Sequence, residues 1–340
     1  MVNFTMKNIV NIRIFSVISA ILFFFAGLPA LVTAQEIGRF SFNLTNKIME
    51  DGTIMDSSVG MNYTGDFSGE VRFRRTKTEK NEEFDNVDDS LNASAQEILE
   101  ITLLPFNYSF IKTSDVKLWA GIGGYYYDRT LKEKGYFTWS ILDDLFDLDP
   151  LNSYKNDFSM RTLGPIIDAG FTYRGSDWIK LSLSGGIVPI FATWAKQTVS
   201  IFPLMDPDTA DYSQNLSGSP YLYGDLSGTI SLPKLLPLFR NQGFSPSNWK
   251  LWVSLLYDYS RLKYEDLGFN LVEGKFVWIM PEVNVVTQSF KLEGALLIPL
   301  GGMHFQIGAG RIFDSMTADS GVQIRKDKNY LNIAGKLLNF

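Results

Sequence analysis

Tyr330 to Phe340 reads YLNIAGKLLNF, and the chain stops there. The final residues of a water-soluble domain are usually frayed and polar. Here Leu337, Leu338 and Phe340 put apolar surface at the extreme end, which predicts a last β-strand in a solvent that accepts it.

Working outward, the opposite end of the chain points the same way. Residues 1–34 carry Lys7 and Arg13 and no acid, then run apolar from Ile14 to Val32, with Gly27 and Pro29 just before Val32-Thr33-Ala34. A basic start, an apolar middle and a small-residue cleavage site are the features of a secretory signal peptide. Cleavage is therefore expected after Ala34, leaving one domain over 35–340. An N-terminal anchor is the competing reading, because the apolar run reaches roughly the 18 residues of a short spanning helix.

The closing pattern Gly335-x-x-Leu338-x-Phe340 resembles the C-terminal signal of Gram-negative outer-membrane β-barrels. Ile333 stands where that signal usually carries a polar residue. The resemblance implies that Gly335, Leu338 and Phe340 form an assembly signal. It also implies periplasmic chaperones and the barrel assembly machinery as partners, and a place in the bacterial outer membrane among its lipids and lipopolysaccharide.

Composition narrows the class. The net charge is −6, whereas a nucleic-acid-binding domain shows a basic stripe, so no nucleic acid is expected. With no cysteine at all, disulfides, thiol catalysis and thiolate metal sites are excluded. After the signal, no apolar run of spanning length and no sustained helical stripe is found. An integral membrane protein of that kind must be a closed barrel, because lipid cannot satisfy an open sheet edge.

The chain reads as alternating stretches separated by turn residues, as a membrane barrel requires. Arg39 to Lys47 sets Phe40, Phe42 and Leu44 against Ser41, Asn43 and Thr45. Met55 to Thr64, Phe67 to Thr76, Glu97 to Phe110 and Val116 to Asp128 follow. The strongest hairpin is Ser159 to Arg174 with Trp178 to Trp194: Ile167, Ala169, Phe171, Leu181 and Leu183 face outward, Asp168, Thr172, Ser182 and Ser184 inward. Tyr221 to Leu232, Trp249 to Ser260, Lys275 to Val286 and Phe290 to Phe313 continue the pattern, the last two joined by a turn at Thr287-Gln288-Ser289. The fold class is thus all-β, a transmembrane antiparallel up-and-down barrel of about twelve strands, with ten to fourteen admissible. With both termini periplasmic, the polar segments near 78–96, 129–156 and 196–217 become long extracellular loops. The tight turns near 65, 112, 176 and 288 become periplasmic, and the long connection 233–248 is the exception. An exported soluble sandwich also has alternating strands. Aromatics at the expected strand ends, Tyr125 to Tyr127, Trp178, Trp194, Tyr221, Tyr223, Trp249, Tyr257 and Tyr259, favour the membrane girdle instead.

No enzyme is expected. Outer-membrane lipases and lipid A deacylases place a His two residues before a Ser, but Gln306 follows His304 at that spacing; the omptin-type pairing needs an acid at 302, which is Gly. Asp143, Asp144, Asp147 and Asp149 fit no 12-residue calcium loop, and Glu82, Glu83, Asp85, Asp88 and Asp89 also read as a solvated loop; no metal or cofactor is expected.

Function is expected in the lumen. Glu70, Arg72, Arg74, Asp168, Arg174, Lys180, Asp225, Asp258, Glu282, Lys291 and Glu293 fall on inward positions. An Arg or Lys on the lipid face at the midplane costs about 2 to 4 kcal/mol, so these charges need water or partners inside. Opposed charge ladders across an open path make a monomeric, porin-like channel for small polar solutes. Direct pairing, with inward Trp119, Trp252, Trp278 and Tyr223, makes a closed structural or surface-interaction barrel acting through its acidic outer loops.

Overall fold

The computed structural model describes residues 40–62, 66–82, 92–136, 153–175, 179–189, 192–202, 208–216, 221–232, 249–272, 275–300, 303–318 and 323–338. Its strands are β1 (Phe40–Met49), β2 (Gly52–Asn62), β3 (Phe67–Glu82), β4 (Asn92–Lys112), β5 (Val116–Tyr136), β6 (Ser153–Gly175), β7 (Ile179–Val188), β8 (Ala192–Phe202), β9 (Asp208–Leu216), β10 (Tyr221–Ser231), β11 (Lys250–Glu265), β12 (Gly268–Val272), β13 (Lys275–Ile279), β14 (Glu282–Leu300), β15 (Met303–Ala318) and β16 (Gln323–Leu338).

Twelve of them close a ring. Each of β1 to β6 pairs with the next, the ring continues from β7 through β10, β11, β14, β15 and β16, and β16 returns to β1 from Ser41↔Leu338 to Met49↔Tyr330. Every pairing in this ring is antiparallel, so this is the expected barrel and not a two-sheet sandwich: no ring strand is left with an open edge. We call the end holding Phe40 and Leu338 proximal and the other distal.

Two hairpins extend the ring distally. β7 pairs with β6 over Ile167 to Gly175, and β8 pairs with β6 over Ser153 to Leu163. The β8–β9 hairpin therefore continues β7 and β10 beyond a break that includes Pro189. Pro165 lies in β6 at the height of that break, where a missing backbone donor is tolerated. In the same way, β12–β13 extends the β11–β14 hairpin past Asp266 and Pro281, which are themselves hydrogen-bonded at 3.0 Å.

The outer surface is apolar. Ile122 is 57% exposed, Leu183 53% and Leu331 62%, and Phe42, Ile167, Leu226, Val253 and Ile307 share that face. Carbon surface on this scale is stable only against lipid. The inward partners of these residues are polar: Asn43, Thr45 and Lys47 alternate with Phe42, Leu44 and Ile48 along β1.

The structure corrects the sequence reading at several points. There is no turn at Thr287-Gln288-Ser289; β14 runs through them, paired with β11 and β15, and the chain reverses between Leu300 and Met303. Only residues 275–279 of the expected Lys275 to Val286 strand precede β14, as the distal strand β13. Residues 78–82, 92–96 and 129–136, expected in loops, are strand. Gly335 and Leu338 lie in β16 opposite Leu44 and Ser41. Residues 1–34, Phe340, the acidic segment 143–149 and the connection 233–248 lie outside the described residues.

Candidate functional site

The proximal half of the interior is built from small side chains. Reading round the ring from Lys117 on β5, the inward row runs Thr172, Ser182, Ser227 and Ser254 to Glu293. One step distally the row is Trp119, Gly170, Ser184, Asp225. A hydroxymethyl fills little of a twelve-stranded barrel, so these rows leave a cavity of about 570 Å³ lined by Lys117, Trp119, Lys180, Ser182, Ser227 and Thr229. The Trp119 ring lies against its cross-strand partner Gly170, where an added Cβ would meet it at 2.5 Å.

At mid-height the cavity meets a charged waist. Arg72 on β3 crosses the lumen: it bonds Glu70 on its own strand at 2.9 Å, Asp168 on β6 at 3.2 Å and the Tyr223 hydroxyl on β10 at 3.0 Å. Arg74, one inward position further, donates to Asp56 at 2.7 Å and to Glu100 at 3.3 Å. Lys291 pairs with Asp258 at 3.1 Å, and the Tyr221 hydroxyl donates to the same carboxylate at 3.0 Å. Asp225 accepts from Ser254 at 3.0 Å. A second cavity of about 390 Å³ lies among these groups, and Glu70, Ser184, Asp225, Trp252 and Gln306 line both spaces.

Glu293 is buried, 4% exposed. Lys47 on β1 approaches it at 2.9 Å, Tyr330 donates at 2.8 Å, and Asn332 and Gln306 donate to its other oxygen. These partners come from β1, β15 and β16, so one carboxylate ties together both sides of the seam where the first and last strands meet. Tyr330 can lie flat because Gly310 stands opposite: a Cβ there would meet its ring at 2.3 Å.

Beyond the waist the interior is packed. Leu104, Tyr125, Ile166 and Val188 form one cluster with Tyr127, Tyr221 and Tyr223 against it, and the Tyr125 and Tyr221 rings stack at 5.2 Å. Phe158, Met160, Ala195 and Leu216 form a second, more distal cluster with Leu262 and Tyr264 from β11. Met49, Ile54, Ile312 and Tyr330 make a third on the seam side. Over them, the Gln197 side chain donates to Asn156, Asp266 and the Leu267 carbonyl at 3.0 to 3.2 Å and accepts from the Leu267 amide at 2.9 Å. Gln214 likewise clasps the Glu265 backbone, and Trp278 donates to Asp208 at 3.0 Å. The two distal hairpins are thereby fastened to each other.

Eight of the sequence-predicted residues meet at the waist: Glu70, Arg72, Arg74, Asp168, Asp225, Asp258, Lys291 and Glu293. Lys180 lines the proximal cavity and Arg174 is directly opposite it, exposed at the rim. Glu282 is a correction: it pairs with Lys263 at the distal end of β14, both side chains 59% exposed. The expected turn at 287–289 had reset the parity; with one continuous strand, Lys291 and Glu293 inward place 282 on the other face. Trp278 lies away from the waist because it belongs to β13, in the distal hairpin beyond Pro281. Tyr125, Tyr127, Tyr221 and Tyr223 belong to the internal cluster and not to an interfacial girdle. Sequence reasoning missed Lys47, Asp56, Glu100, Tyr330 and Asn332. Lys47 was legible as the next inward position after Asn43 and Thr45; Glu100 was hidden by register shifts in β4 between Leu103 and Phe106.

These elements define a transmembrane β-barrel with a polar proximal cavity, a charged waist and a packed distal half. The sequence matches no protein-family profile and no curated protein. Among solved structures, the chain is similar to the toluene transporter TodX of Pseudomonas putida, at 11% identity over 91% of this chain and 90% of that one, with TM-score 0.42. It is also similar to the toluene transporter TbuX of Ralstonia pickettii (10% identity, 92% of each chain, TM-score 0.41) and to a FadL homologue of Pseudomonas aeruginosa (8%, 88% and 89%, TM-score 0.39). Nothing about this chain's cargo follows from similarity at that level.

Proposed function

We propose that this chain is a monomeric outer-membrane channel for small polar solutes, with its proximal end in the periplasm. The observation that carries the reading is that two internal cavities stand one above the other, with Glu70, Ser184, Asp225, Trp252 and Gln306 lining both. A barrel whose interior served only to hold it together would be filled there, as it is distally. Charges of both signs on facing walls set a transverse field that orients dipolar solutes and rejects apolar ones. The distal clusters then act as the gate, with Tyr125 and Tyr221 as the stacked pair that must part.

The distal packing supports a second reading, a closed structural barrel. Single-channel recording of the refolded mature chain in planar bilayers separates the two. The channel reading predicts discrete conductance steps that become larger in a Tyr125→Ala/Tyr221→Ala variant. Silence from both proteins, folded by the criterion of altered gel migration without boiling, would establish the closed barrel.

A further inference from the structure

The proximal rim concentrates like charges that a barrel wall does not need. Lys112 and Lys117 are directly opposed in the β4–β5 register, and Arg174 and Lys180 in the β6–β7 register. Like charges directly opposite each other destabilise an antiparallel pair. The Arg174 amide donates to the Asp115 carbonyl at 2.7 Å, which sets the two pairs side by side on adjacent hairpins. Acids stand among them: Asp66 is 3.7 Å from Lys112, Asp115 lies in the β4–β5 turn, Glu70 is engaged by Arg72, and Asp225 lines the distal side of the cavity.

Lys117 and Lys180 both line the 570 Å³ cavity. Thr172 lies between Lys117 and Ser182 in the register, hydrogen-bonded to Ser182 at 2.9 Å, and Thr229 stands opposite Lys180. Hydroxyl groups and ammonium groups converge there on one space, with the Trp119 ring as its apolar floor. We infer that this vestibule is a binding site for a small oxyanion-bearing solute, a carboxylate or a phosphate ester, whose charge is held between Lys117 and Lys180 and whose organic part lies on Trp119. An anion in that position accepts charge-assisted hydrogen bonds from both ammonium groups. The lipid face at this height is apolar, with Leu181 and Tyr173 exposed, so the site opens to the lumen and takes a soluble ligand.

The inference goes beyond the channel reading and needs no opening of the distal half, so it survives or fails apart from conductance. The test is calorimetric titration of the refolded mature chain in non-ionic detergent with inorganic phosphate and, separately, succinate. Saturable binding is expected. It should weaken at least about tenfold in Lys117→Gln/Lys180→Gln, return in Lys117→Arg/Lys180→Arg, and stay unchanged in Lys263→Gln at the distal rim. Absence of saturable binding, or equal affinity in the double Gln variant, overturns the site. Repeating the titration in phosphatidylglycerol vesicles distinguishes the source. Retained phosphate binding supports a soluble ligand, and its loss there alone reassigns the site to a lipid headgroup and overturns the soluble assignment.

Discussion

The two halves of the interior are made by the same strands and differ in almost everything else. Proximally, β6, β7 and β10 present Thr172, Ser182 and Ser227 and leave space; distally, the same wall and its extensions present Ile166, Val188 and Phe158, each buried in an apolar cluster. The contrast is one of side-chain volume on a constant backbone. Closing the ring fixes the radius, so a row of serines makes a vestibule and a row of large apolar and aromatic residues makes a plug. Between them the waist holds its charges by pairing, and the partners span the lumen from β3 to β6 and β10.

That contrast can be broken by substitution, and the expected effects fall in a clear order. The largest belongs to the border. Glu293→Ala removes the nearer of the two carboxylates beside Lys47, leaving Asp56 at 3.8 Å, and losing one partner of a buried pair costs about 3 to 5 kcal/mol. Urea unfolding in detergent should show this, with much of the loss recovered in Glu293→Leu/Lys47→Met. Next comes the packed half: Ile166 is fully buried, and Ile166→Ala should cost about 2 to 5 kcal/mol in the same assay. A loss below about 0.5 kcal/mol would mean that the distal half is not packed as described. Gly186→Ala is smaller, about 1 to 3 kcal/mol, because the added Cβ would lie 2.5 Å from the Tyr223 ring; it should also alter the conductance by moving the ring at the waist. Smallest of all is Ser227→Ala in the vestibule, expected within about 0.5 kcal/mol of the parent.

Much of this was legible in the sequence, and the reasons for success and failure are physical. Where a strand crosses lipid, one face is forced to be apolar and period-two alternation stands out, so Ile167 and Leu183 separated from Asp168 and Ser182 before any coordinates. Beyond the lipid band both faces meet water or other strands. Alternation then disappears, and strand reads as loop: residues 129–136 failed in that way, whereas the polar run Thr287 to Ser289, level with Asp258 of the waist, read as a turn. The second failure had a consequence, since the false turn flipped the parity of Glu282. The twelve-strand count survived because Phe290 to Phe313, counted once, contains the reversal between Leu300 and Met303 and so offsets the false turn. Composition misled where parity did not: Tyr125 and Tyr223 sat on inward positions throughout, and counting aromatics near strand ends had assigned them to a girdle. The cross-lumen bonds of Arg72 and Glu293 were beyond sequence reasoning, because they join strands that are not neighbours in the ring.

The chain contains no cysteine, so a single introduced thiol reports without background. Ser227→Cys lines the proximal cavity, and Thr193→Cys replaces a residue 2% exposed and bonded to Thr162 in the packed half. A membrane-impermeant maleimide applied to the folded barrel should label the first rapidly and the second only after unfolding. Equal labelling of both, or protection of the thiol at 227, would contradict a wet vestibule that ends at a packed distal half.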